Sequence, residues 1–241
     1  MQVQSVRYAL DGFTVRAAGG WGDSGLFASI LTLLREKKGE ILVDVSEGKR
    51  KRLVLKAEIQ GRMVIVKREF FIFRFDRSVK AYLFGSNARS VFSVSKSAFE
   101  NGFSGIPHFF LCAERFERGV LRECISVMEF LKGDSLPWNV PLPEEIRAEI
   151  CSLVNGCHAH GIISGDIHPG NFIKTENGLK LIDFCGKKVF PSLAKARDRA
   201  QLGRRFGIRF SEVRWSDRLF RAILAWRNFG RRLRGQDPLP D

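Results

Sequence analysis

Residues 160–188 read HGIISGDIHPGNFIKTENGLKLIDFCGKK. Two aspartates, two histidines, two asparagines, a proline and five glycines ahead of the closing lysines surround short apolar runs. A plain turn between a helix and a strand needs little more than a Gly and an Asn. This stretch carries a surplus of groups that bind metal and move protons. Asp166 and Asn171 stand five apart in one loop, and Asp183 follows twelve residues later, after the apolar strand LKLI. Asn amide and Asp carboxylate oxygens are hard donors suited to Mg²⁺ on nucleotide phosphates. A nearby carboxylate that orients a hydroxyl and takes its proton completes the parts that phosphoryl transfer requires.

Working outward, the chain of 241 residues has room for a sizeable core, as one domain or as two small lobes. Apolar residues make up 44% and charged residues 27%, ordinary for a globular protein. There is no apolar run of roughly 18 residues, so no spanning helix is expected. The start, MQVQSVRYALDGFTV, has neither the basic opening nor the long apolar stretch of a signal peptide, which points to the cytosol. Cys112, Cys124, Cys151, Cys157 and Cys185 are odd in number and form no C-x-x-C pair, so reduced thiols are expected rather than a zinc site or a disulfide framework.

The charge is uneven. Forty Lys and Arg against 26 Asp and Glu give +14. From Arg204 to Arg234 ten arginines face only Glu212 and Asp217, a local +8. Such a surface attracts polyanions such as nucleic acid, an acidic membrane face or a phosphorylated glycolipid, or it is a solvated helical face. No nucleic-acid recognition motif accompanies it.

The pattern changes near residue 130. Before it, 41–45, 52–59 and 62–73 read as strands, with a tight turn at IQGR. HFFLCAERF and CISVMEFL add two more. Helices are expected at 23–38, capped by Asp23 or Ser24, and at 86–101, ended by Asn101-Gly102. The segment 133–143, GDSLPWNVPLP, reads as a linker. After it, LPEEIRAEICSLVNGCHAHG, LAKARDRAQLGRRFG and DRLFRAILAWRNFGRRLRG are helical by period. The expected class is α+β, with residues 1–130 forming a small antiparallel lobe and 131–241 a mainly helical one.

The string G-D-x-H-P-x-N with LIDFCG resembles the catalytic loop and metal-binding segment of the protein-kinase-like fold, in its branch of small-molecule and sugar kinases. More narrowly, SGDIHPGNFI, LIDFCGKK, AKARDRAQLGRRFGI, FFLCAERF and MEFLKG are similar to the bacterial lipopolysaccharide core heptose kinases, the heptose(II) kinases above all. The resemblance spans roughly residues 40–210. It implies a two-lobed kinase fold that uses ATP and Mg²⁺ to phosphorylate a heptose of the lipopolysaccharide inner core. Asp166 is then the catalytic carboxylate, and Asn171 and Asp183 hold the metal. Lys67 grips the nucleotide phosphates, and Met128, Glu129 and Leu131 line the adenine. The core glycan is the substrate, and the setting is the cytoplasmic face of the inner membrane, where the basic C-terminal helix and its aromatics meet anionic lipid; the same stripe read as core packing is the alternative. Other acceptors in this branch are heptose(I), the neighbouring octulosonic acid and aminoglycoside-like molecules. A pseudokinase scaffold is the reading from another class.

Three departures from the family pattern stand out. The helix that normally offers a glutamate to the lysine holds Ser90 or Val91 there, so that either the salt bridge is absent or Glu69 or Glu100 substitutes. The metal motif reads Asp-Phe-Cys-Gly, one residue longer than usual. No long activation segment follows Asp183, which favours a small or glycan acceptor over a peptide. Lys187 and Lys188 are candidates for an acceptor phosphate, SEGKRKR (46–52) for the phosphate-covering loop, and Asp198 for a buttress beneath the catalytic loop.

Overall fold

The computed structural model describes residues 5–45, 50–71, 86–138, 140–186, 190–208, 210 and 214–237. Lys187, Lys188 and most of the SEGKRKR loop lie outside these; its last three residues, Arg50, Lys51 and Arg52, belong to a strand. The chain divides into two compact units, Met1–Lys132 and Gly133–Asp241.

The first unit is built on a seven-stranded antiparallel sheet of order β1-β2-β6-β7-β5-β4-β3. The strands are β1 Ser5–Leu10, β2 Phe13–Ala18, β3 Glu40–Val45, β4 Arg50–Ile59, β5 Arg62–Phe71, β6 Phe109–Glu117 and β7 Val120–Glu129. Three hairpins close through two-residue loops, Asp11-Gly12, Gln60-Gly61 and Arg118-Gly119, with both residues of each at positive φ. That is the turn whose twist matches the strands it joins, and it explains a glycine at each second position. The hairpin at 60–61 is the expected one. The β1–β2 hairpin was not expected, although its Asp-Gly between alternating residues is a strong short-range signal.

Helix α1, Ser24–Glu36, starts where the Asp23 carboxylate accepts the Gly25 amide at 3.0 Å. It lays Phe27, Ile30, Leu31 and Leu34 on the sheet residues Val15, Leu55, Val64, Val66, Leu111 and Val127. The spacing of those four apolar side chains puts them on one stripe, so the helix is held by the sheet rather than by its own propensity. Helix α2, Asn87–Glu100, is capped by the Ser86 hydroxyl, which accepts from the Arg89 amide. Its start is tied to the sheet by Glu114, almost fully buried, which accepts the Ser86 amide at 3.0 Å and the Arg16 guanidinium at 2.6 Å.

The second unit opens on a short strand, β8 Asp134–Ser135, that pairs with β9 Phe172–Thr175; β9 in turn pairs with β10 Gly178–Leu181. The Gly/Pro-rich segment is therefore not a loose tether but begins as sheet. A Cβ at Gly133 would lie 2.1 Å from the Lys174 carbonyl oxygen, so only glycine lets the strand approach. Helices α3 Glu144–Ala159, α4 Pro191–Phe206 and α5 Trp215–Arg232 complete the described elements. Ile150, Val154, Cys157, Ile162, Ile167, Phe172, Leu181, Leu202 and Phe206 are buried, with the Phe172 and Phe206 rings edge to face.

Candidate active site

In the second unit the β9–β10 hairpin does the positioning. Phe172 pairs with Leu181, and the ladder extends one step as the Ile182 amide donates to the Asn171 carbonyl at 2.8 Å. Asn171 and Asp183 are thereby brought to the same end of the hairpin. Beyond Asp183 the chain is pinned again, the Cys185 amide donating to the Ile163 carbonyl at 2.7 Å. Between the two pins Asp183 adopts φ 53°, a left-handed conformation that a non-glycine residue adopts at a cost. Such strain persists where surrounding contacts over-determine it, as the two backbone bonds do here.

Asp166 sits on the loop between α3 and β9 with its side chain exposed. Asn171 is buried, and its amide nitrogen donates to the Asp166 carbonyl at 2.8 Å, tying the ends of the loop together. That bond uses the Asn171 N–H and leaves its side-chain oxygen as a donor atom for a cation.

The loop rests on α4. Asp198, with no exposed surface, accepts the Ser164 amide at 3.0 Å and the Gly165 amide at 2.8 Å, and lies 3.0 Å from His158 Nε2. Three residues on, Gln201 accepts the Ile167 amide at 2.8 Å. One helix face thus fixes the backbone on both sides of Asp166. Gly165, at φ 75°, is the position where a glycine lets the chain turn into this cradle. Asp198 fills the buttressing place expected for it. Gln201 and His158 were not anticipated: the i, i+3 spacing of Asp198 and Gln201 was legible, whereas nothing in the sequence marks His158, on a different helix.

His168 lies with Nε2 4.0 Å from the Asp166 carboxylate and its ring stacked on Trp138 at 5.0 Å. Gly170 makes room for this pair, since a Cβ there would sit 3.3 Å from the Trp138 indole nitrogen. On Trp138 opens a cavity of about 410 Å³ lined by Pro137, Pro141, Pro169, Arg147 and Arg205 among others. Trp138, half exposed, also escaped the sequence reading.

In the first unit Lys67 lies on β5 opposite Ser126 of β7, and Ile65 lies opposite Met128. Lys67 Nζ is 3.4 Å from Glu69 Oε1, while Glu100 pairs with Lys96 within α2. Val91 is buried, and of the two glutamates Glu69, on the lysine's own strand, is the one paired with Lys67. The Glu129 amide donates to the His108 carbonyl at 2.8 Å, and the Glu129 carboxylate accepts the His108 amide at 3.1 Å. Met128, Glu129 and Leu131 are all half-buried. Burial, with a smaller push from Arg62, holds the His108 imidazole below the usual histidine range against the pull of Glu129.

Among the described residues no cluster of three or more His, Cys, Asp or Glu forms. A site built from Asn171 and Asp183 has only two protein ligands. That fits Mg²⁺, which keeps several waters and takes one or two protein ligands beside substrate phosphates.

An antiparallel sheet first and a helical unit carrying a G-D-x-H-P-x-N loop second define the class: a protein-kinase-like α+β fold. The family model described as "Lipopolysaccharide core biosynthesis protein (WaaY)" matches residues 40–236. The chain belongs to that family. It is 31% identical over 167 residues to the lipopolysaccharide core heptose(II) kinase WaaY of Escherichia coli strain K12, covering 68% of this chain and 70% of that one. A second Escherichia coli protein of the same name is 30% identical over 135 residues, 56% of this chain and 58% of its own. Among solved structures a MAP kinase, LmaMPK10 from Leishmania major, aligns at 18% identity and a TM-score of 0.40, covering 75% of this chain and 59% of that one.

Proposed function

We propose that the chain transfers the γ-phosphoryl group of ATP to a hydroxyl of heptose II in the lipopolysaccharide inner core. The observation that carries this is the joint placement of Asp166, Asn171 and Asp183 by one loop and one hairpin, on a backbone held by the buried Asp198. The two relatives named as heptose(II) kinases support the acceptor.

Each residue then has a task. Asp166, exposed and held by its backbone rather than by its carboxylate, is free to accept a hydrogen bond from the attacking hydroxyl and then its proton. Asn171 and Asp183 hold Mg²⁺, which neutralises charge on the phosphates. Lys67 contacts the nucleotide phosphates, steered by Glu69. Met128 lies along the adenine, with the Leu131 amide and the Glu129 carbonyl reading its edge; the Glu129 amide is already committed to His108. The acceptor sugar lies over Trp138, whose apolar face suits a pyranose ring, with Arg147 and Arg205 meeting its anionic groups. No described helix is long and apolar enough to cross a membrane. Work on a lipid-linked glycan places the protein against the cytoplasmic face of the inner membrane.

The test is incubation of the purified protein with labelled ATP, Mg²⁺ and dephosphorylated core oligosaccharide, with mass spectrometry to locate the phosphate. Label on heptose II is the expected result, and label on heptose I or the octulosonic acid instead would overturn the acceptor. Asp166→Ala melts like the parent and transfers nothing; activity retained in that variant removes the mechanism.

A further inference from the structure

Helix α5 turns its most apolar side away from the protein. Trp215, Leu219, Ile223, Trp226, Phe229 and Leu233 follow one another at three- and four-residue steps, so they form one stripe along α5 and the residue just beyond it. All are exposed, Trp226 by 75%, Leu233 by 72% and Trp215 by 68%. The side that meets the protein is the opposite one, where Ser216 is buried and Asp217, Phe220 and Leu224 are half-buried. Phe220 and Leu224 therefore belong to packing, and Trp215, Trp226 and Phe229 do not. Arginines border the outward stripe on both sides: Arg214, Arg218, Arg221 and Arg232 on one flank, Arg227 and Arg234 on the other.

The helix is firmly mounted. The Arg199 guanidinium, mostly buried on α4, donates to Asp217 Oδ1 at 2.6 Å and to the Ser216 hydroxyl at 3.2 Å, while Asp217 Oδ2 accepts the Arg214 amide at 2.9 Å. The stripe is thus presented by an anchored element about 27 Å long, 18 residues at about 1.5 Å each.

We infer that α5 is an interfacial helix that lies flat on an anionic phospholipid bilayer. Its apolar stripe enters the boundary between headgroups and acyl chains, and its arginines meet lipid phosphates. A flat apolar face with two tryptophans and basic margins is what such a helix needs. A second copy of the chain fits less well, because pairing two such faces brings the arginine margins of two strongly cationic molecules together. Nucleic acid fits less well still, since the outermost side chains are apolar and would face phosphate. This deepens the membrane-face reading given above and rests on it for its purpose, not for its evidence.

The test uses the full chain and vesicles of phosphatidylcholine, alone or mixed with phosphatidylglycerol. The expected result is co-sedimentation with the mixed vesicles, a blue shift of tryptophan emission, and loss of binding as salt rises. The double variant Trp215→Ser/Trp226→Ser, altered only at exposed positions, lowers vesicle binding by roughly tenfold or more. Its transfer to lipid-free core oligosaccharide stays at the parent level, while transfer to vesicle-embedded lipopolysaccharide falls. Absence of co-sedimentation, equal binding to both vesicle types, or binding that the double variant keeps overturns the inference. So does a dimer in analytical ultracentrifugation that the double variant dissolves, since the stripe then covers a second copy. Co-sedimentation without transfer to any acceptor would leave this inference standing and overturn the catalytic one.

Discussion

Removing the Asp198 carboxylate probes the site without touching a group that meets substrate. It bonds two loop amides and lies within hydrogen-bond distance of His158, all in the interior. Hydrogen bonds to a charged group contribute about 1.5–3 kcal/mol each. The three share one carboxylate and the loop relaxes when it goes, so the loss is below their sum. About 4 kcal/mol is the expected cost for Asp198→Ala, the range seen when a buried charged partner is removed. Asp198→Asn keeps one acceptor oxygen but aims an NH₂ group at donors already there, and about half that cost follows. For a chain of this size the alanine variant melts roughly 8–16 °C lower. Amide hydrogen exchange gives the local reading, with protection at Ser164 and Gly165 collapsing first. Phosphotransfer falls by about a hundredfold, because a displacement of about 1 Å at the reacting carboxylate is enough for that. Parent-like melting, protection and turnover in Asp198→Asn would refute the buttress.

The other expectations are narrower. Burial lowers the His108 pKa from 6.5, so the unfolded chain binds a proton more readily; this stabilising contribution is complete above that pH and is lost as pH falls through the lowered value. The melting temperature therefore drops between about pH 7.5 and about pH 5, and less steeply in His108→Phe; identical slopes would contradict this. Burial raises the thiols of Cys112 and Cys124 and pushes that of Cys157 up to about 12, whereas Cys151 and Cys185 are half-buried. An aromatic disulfide reagent at mildly alkaline pH should label only Cys151 and Cys185 quickly in the native protein, and rapid reaction at a buried thiol counts against the packing. Glu69→Gln should raise the KM for ATP by no more than about fivefold, since a partly exposed pair contributes about 0.2–1 kcal/mol. A far larger loss, or none, would remove Glu69 as the partner of Lys67.

Local chemistry was what the sequence made legible. Asp23 as a cap, Asn101-Gly102 as a helix end, the Gln60-Gly61 turn and the apolar spacing of α3 are rules acting within a few residues, and the structure follows them. The loop and hairpin of the candidate site were legible for the same reason, being nearly continuous in sequence. What escaped was set by partners far along the chain. The β8 strand hides in a Gly/Pro-rich run because its pairing partner lies some forty residues on. His158 is fixed by an aspartate that a helix brings back 40 residues later. The direction of the α5 aromatics was open because period locates a stripe but not what it faces.

The pairing of β2 with β6 has a consequence for biosynthesis. Arg16 and Glu114 meet across 98 residues of chain. At ribosomal speeds of about 5–20 residues per second, the first hairpin waits roughly 5–20 s for its neighbour. Throughout that interval its inner strand shows unsatisfied amides and carbonyls to the cytosol. A nascent chain arrested before residue 109 should therefore bind holdase chaperones, and one arrested after the ribosome has released residue 129 should let them go.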